Sequence, residues 1–319
     1  KIITMKNYAK LIKLTLIVVT STIMFSCSDD DDNATPAQNN SIAAIAAGNP
    51  NFSTLVAALD RADLVQTLDQ SGPFTVFAPT NAAFTTFLAD NGFSSLNDVP
   101  VAALKEILLN HVVSGTNLST SLSTGYVKTL AKGSASSTNT LSMFINTASG
   151  VKINGVATVT TADLIASNGV IHVVDAVIGL PTVVTHAAAN PNFTTLVGLL
   201  DGQGLVPTLA GSTSSPFTVF APSNAAFTTF ETQNPGVLAS LTSAQVTSVL
   251  TYHVVAGANV LSNAIPTTPI TTLETGTFTI AGTVITDEAA RQTNIVAVDV
   301  QASNGVIHVI DNVLLPNLD

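Results

Sequence analysis

The stretch GPFTVFAPTNAAFTTF, Gly72 to Phe87, returns as SPFTVFAPSNAAFTTF from Ser215 to Phe230. The match extends well beyond it. NPNFSTLVAALD (Asn49 to Asp60) returns as NPNFTTLVGLLD from Asn190, LLNHVVSGTNL (Leu108 to Leu118) as LTYHVVAGANV from Leu250, and ASNGVIHVVDAVIGLP (Ala166 to Pro181) as ASNGVIHVIDNVLLP from Ala302. The copies stand about 140 residues apart, too long a period for a short-repeat solenoid, so each copy must bury a core of its own. The expectation is two domains, 41–181 and 182–317, meeting at Pro181 through a linker short enough to restrict their relative motion.

Within one copy, Phe52, Leu55, Val56 and Leu59 fall at helical spacing. FTVFAP reads as a short strand stopped by its proline. In TNAAFTTFL, Thr80 or Asn81 caps a helix start, with Ser223 and Asn224 as the counterparts in the second copy. Phe84, Phe87 and Leu88 then face the core. From Gly125 to Leu180, alternating Thr, Val and Ile broken by Gly and Asn signal strands and turns. Helices first and strands later indicate an α+β class.

FTVFAPTNAAF, a His-Val-Val segment and a late NGVIHVVD, in that order and present twice, resemble the fasciclin domain. The resemblance spans nearly everything from Ser41 to Pro316. It implies that each copy is a β-wedge of two sheets with a layer of helices on one side. In animal adhesion proteins of that family, a Tyr-His pair among branched apolar residues is associated with receptor binding. The resemblance therefore makes Tyr252 and His253 candidate interaction residues, with Asn110 and His111 at the matching place in the first copy, against the reading that all four pack a helix-to-strand junction.

The N-terminus is a basic opening followed by an apolar run from Leu14 to Phe25 that is too short to span a bilayer. Met5 offers a start, and Lys6, Lys10 and Lys13 keep the leader basic either way. The run ends at Ser26 and Cys27, the one cysteine of the chain, which cannot staple the fold. Cys27 is either an incidental thiol in a cleaved leader or the lipid-modified first residue of a bacterial lipoprotein, and its surroundings favour the second. Residues 1–26 resemble a lipoprotein signal peptide. Residues 27–40 form an acidic and polar tether, and Asp29 to Asp32 resemble the surface-export signals of certain bacterial lipoproteins. The expectation from this resemblance is a location in the cell envelope, as an outer-membrane lipoprotein exposed at the cell surface.

Twenty acids against ten Lys and Arg give a formal net charge of -10, and four of those bases lie before Cys27. Such a surface repels phosphate backbones and anionic headgroups, which excludes nucleic acid as a partner. Alternation along VIHVVD puts His172 and Asp175 on opposite faces of the strand, as it does His308 and Asp311, so neither pair makes a local catalytic dyad. His172 and His308 read as structural histidines. The five histidines never sit at a metal-ligand spacing, no glycine-rich phosphate loop follows a strand, and the expectation is no metal, no cofactor and no enzyme. The expected function is non-covalent binding of protein or polysaccharide ligands at the cell surface or matrix, with the membrane reached through Cys27. A structural envelope or spacer protein is the alternative. A hydrolase assembled from distant segments would instead need a polar pocket bringing His111 or His253 next to an acid and a nucleophile.

Overall fold

The computed structural model describes residues 40–318, so the expectations for the leader, Cys27 and nearly all of the tether lie outside the described residues. Asn39–Asp319 make one compact unit in which both copies are packed together.

The first copy opens with short helices, Ile42–Gly48, Ser53–Arg61 and Val65–Asp69, followed by strand β1 (Phe74–Pro79) and helices Asn81–Asp90 and Val101–Leu109. Six strands complete it: β2 (Val112–Ser114), β3 (Gly125–Lys132), β4 (Thr140–Asn146), β5 (Lys152–Ile153), β6 (Ala157–Ala166) and β7 (Gly169–Val174). The second copy repeats this plan. Its strands are β8 (Phe217–Pro222), β9 (Val254–Ala256), β10 (Ile270–Thr271), β11 (Thr277–Ala281), β12 (Val284–Thr286), β13 (Gln292–Ala302) and β14 (Gly305–Ile310).

In the first domain the seven strands close into a barrel in chain order, with β7 returning parallel to β1. In the second the order is β10-β11-β12-β13-β14-β8-β9, the same cycle opened between β9 and β10. The opening follows from strand length: β3 has 8 residues to reach β2, whereas β10 has 2. Register shifts in β3 and β6 bend the first ring into two faces, one carrying β2-β1-β7 and the other β4-β5. This is the wedge of two sheets, with the helices packed over the β1–β7 face, and the class is α+β.

The central strands are buried on both sides, which explains their unbroken apolar run. Val76, Ala78 and Ile171 pack on the helices with Leu55, Phe84 and Leu104. Phe77 and Val174 turn to the barrel interior and meet Met143 and Ile153. In the second domain Ala221 and Ile307 face the helices while Phe220, Phe278 and Ile310 fill the interior.

The domains are joined along a polar seam as well as by the linker. Lys128 Nζ donates to the Asp299 carbonyl at 2.9 Å and to Ser142 Oγ at 3.1 Å, and Ser142 Oγ in turn accepts from the Gln301 amide. The Ser303 carbonyl accepts from the Ala135 amide and from Ser134 Oγ. Gly133 lies so close to Ser303 that a Cβ there would stand 2.4 Å from its Cα, a contact only glycine permits.

Candidate functional site

The repeated motif residues are fasteners. Thr80 and Ser223 cap the helices Asn81–Asp90 and Asn224–Gln233 by accepting from the amides of Ala83 and Ala226. Asn81 and Asn224 do a different job. Each accepts from a helix-start amide, Thr54 or Thr195, and donates back to the carbonyl of Pro50 or Pro191, so two helices are clamped by one side chain.

His172 and His308 are fully buried, each with its ring against a phenylalanine, Phe77 or Phe220. Each belongs to a Ser, Asp and His cluster that sequence reasoning missed. In the first domain Ser119 donates its amide and its hydroxyl to the Asp163 carboxylate, the Asp163 amide donates to His172 Nδ1, and His172 Nε2 donates to the Asn117 carbonyl at 2.9 Å. Ser262, Asp299, His308 and the Val260 carbonyl repeat the arrangement. Asp163 and Asp299 both sit at φ +61°, inside the register shifts of β6 and β13. A proton relay needs the serine on the histidine and the carboxylate behind it. Here the serine is bonded to the carboxylate and both ring nitrogens are committed to the backbone, so the cluster pins a loop to a strand. The Ser119 hydroxyl, and after it the Ser119 amide, hold the Asp163 carboxyl below the usual range.

Asn110, His111, Tyr252 and His253, expected as interaction residues, are 0%, 2%, 0% and 3% exposed. The four side chains lie beneath the surface, packed at the helix-to-strand junctions, with the His253 ring bordering a pocket. His111 Nδ1 donates to the Ile107 carbonyl and Nε2 accepts from the Ile178 amide, and His253 does the same with Val249 and Leu314. Each ring bridges a helix end to the segment after the last strand. Asn110 donates to the Gly179 carbonyl. Tyr252 donates to the Thr277 carbonyl at 2.7 Å and accepts from the Glu288 amide. Residues adjacent in sequence were therefore brought together, but as interior packing.

Burial pushes His111, His186 and His253 down to about 4, the backbone bonds only partly offsetting it. The unfolded chain, with histidine near 6.5, takes up protons between pH 6.5 and 4 that the folded chain cannot. The stability is complete above pH 6.5 and declines as pH falls toward 4. At pH 5 each histidine costs about 2 kcal/mol relative to pH 7.5. Urea denaturation at the two pH values checks this. The midpoint should drop clearly at pH 5, and equal midpoints would contradict neutral burial.

Among the described residues no group of three or more His, Cys, Asp and Glu is placed to hold a metal. A pocket of about 540 Å³ lies in the helical layer of the second domain, with His253 in its floor and otherwise mostly apolar walls. Since both nitrogens of His253 are already bonded, that ring offers the pocket no base.

The Fasciclin domain profile matches residues 50–181 and again residues 191–316. Protein sll1483 of Synechocystis is 47% identical over 137 residues, 43% of this chain and 72% of that protein. Human periostin is 29% identical over 269 residues, covering 81% of this chain and 30% of periostin. A solved FAS1 domain pair from the insect cell adhesion molecule fasciclin I is similar with a TM-score of 0.47 and 21% identity, covering 81% of this chain and 92% of that one. With the two matched segments taking in most of its length, the protein belongs to the fasciclin domain family and carries two of its domains in tandem.

Proposed function

We propose that this protein is a lipid-anchored binding module of the cell surface, attached through Cys27, that contacts protein or polysaccharide ligands of the matrix or envelope without chemistry. The observation that carries the reading is where its apolar side chains remain uncovered. On β13, Val296 and Val298 are 59% and 45% exposed, and on β6 Ile165 is 64% exposed. Branched residues on a solvated strand face contribute nothing to the core they turn away from, and they are the kind of surface a partner covers. The polar seam supports the same reading, because it holds the two domains as one framework.

The test uses the full chain on intact cells. Wild type, Cys27→Ala, and the double variant Val296→Asp with Val298→Asp are compared for surface proteolysis and for attachment to matrix-coated and envelope-coated plates. Wild type is expected to be clipped at the surface and to support attachment. Cys27→Ala should be lost from the membrane fraction, and the β13 double variant should stay anchored but attach less. Attachment equal in all three, and unchanged by deletion of the gene, would favour a structural spacer instead.

A further inference from the structure

The two copies differ in one place where the difference creates a space. In the first domain Arg61 Nη2 donates to the carbonyls of Asn97 and Val99 at 2.8 Å each, drawing the connecting loop onto the helix Ser53–Arg61. Val99 and Leu104 beneath that loop are 1% and 0% exposed, and Leu88 packs against the same core. The aligned positions of the second domain are Gly202, which has no side chain to pull with, and Glu231, which turns to accept from the Gly236 amide at 2.6 Å. The loop that follows stands off. Leu241 and Val246, the counterparts of Val99 and Leu104, remain partly exposed and line the pocket of about 540 Å³.

From this we infer that the second domain holds a binding site for a single alkyl or acyl chain bearing an uncharged, hydroxylated head. The site is separate from the β13 surface and does not depend on the adhesion reading. Its volume lies within the roughly 300–1,000 Å³ of small-molecule sites. Its floor is buried and apolar, formed by Phe227, Val249, Leu250 and Val313 around the neutral His253 ring. Its rim is exposed and polar, formed by Thr195, Thr228, Thr232 and Glu231. The Thr228 and Thr232 hydroxyls donate to the Asn224 and Thr228 carbonyls, so their oxygens are left as acceptors for a ligand hydroxyl. Glu231 is the one charged carboxylate of the lining and no Lys or Arg joins it, so a fatty acid carboxylate would be repelled where a glycerol-type head is accepted.

The experiment uses the full chain and the neutral fluorophore N-phenyl-1-naphthylamine, displaced by glycerol monolaurate or by laurate below their micellar concentrations. Wild type should bind the fluorophore saturably, one per chain, and release it to the monolaurate at a concentration about tenfold lower than to laurate. Glu231→Gln should narrow that gap. The double variant Gly202→Arg with Glu231→Leu, which rebuilds the closed arrangement of the first domain, should lose binding while keeping its circular dichroism and melting midpoint. Should that variant unfold, Leu241→Trp serves as the pocket-filling control. Three results would each overturn the proposal: no saturable binding, equal affinity for laurate, or binding undiminished in both filled variants. Self-association through this face with no uptake of the fluorophore, seen by sedimentation, would assign the pocket to a second copy instead and overturn it too.

Discussion

Replacing Gly169 with alanine is expected to unfold the first domain or leave it barely cooperative. At φ +153°, Gly169 begins β7 in parallel register opposite Phe74 of β1, and an added Cβ would stand 1.9 Å from the Phe74 carbonyl oxygen and 2.8 Å from its carbon. The obstacle is backbone on both sides, so no side chain can swing away; the two central strands must part. Those strands carry the core on both faces, and parting them exposes Phe77 and Ile171, which are 0% and 1% exposed. The loss should be at least about 4 kcal/mol, in the range reserved for a few severe mechanisms. For a domain of this size that lowers the melting midpoint by about 10 °C or more. Gly48, whose Cβ would meet nothing within 4 Å, is the internal control: Gly48→Ala should melt with the wild type. A Gly169→Ala protein that melted with it would show that the close approach is not needed.

Asn168→Ala is the second large effect, about 3–5 kcal/mol, through a different cause. Asn168 is 7% exposed and makes three long-range bonds: its oxygen accepts from the Ile42 amide at 2.9 Å, and its nitrogen donates to the Leu68 and Gln70 carbonyls at 2.7 Å each. Alanine leaves those three backbone groups unpaired where water has poor access. The amide of Ile42 should lose its hydrogen-exchange protection before the rest of the domain does. Asn168→Asp keeps the acceptor but places a carboxylate against two carbonyls, so it should do no better. Asn304 makes the same set of contacts with Val183, Leu209 and Gly211, and its alanine variant should destabilise the second domain alike. Melting curves and amide exchange of both variants check this. Protection at Ile42 equal to wild type would remove the tie from the account.

These two residues are the Asn-Gly of the repeated ASNGVIH, and they show how far one strand of letters can be read. That the motif repeats was visible, as were the strand stopped by proline and the helix capped at Thr80 or Asn81. What the Asn and Gly do was hidden, because Asn168 bonds to residues 126 and 100 positions away, and spacing along the chain carries no trace of that. The Asp163 cluster was missed for the same reason: its serine lies 44 residues earlier and its backbone conformation leaves no mark in composition. Tyr252 and His253 were legible as a pair but not in depth. A helix-to-strand junction with one wet face and one dry face reads identically until the segment after β14 is laid across it.

Two domains, their α+β class, their family and the net acidic charge follow from the order and kind of residues, since periodicity, turn residues and net charge act locally or by simple sum. Tertiary structure alone decided the rest. It turned the histidines inward, exposed Val296 and Val298, and opened a pocket of about 540 Å³ in the helical layer of the second domain. The physical reason is that each of these depends on which distant side chain arrives to fill, bond or cover: Arg61 reaches the loop in one copy and Gly202 cannot in the other.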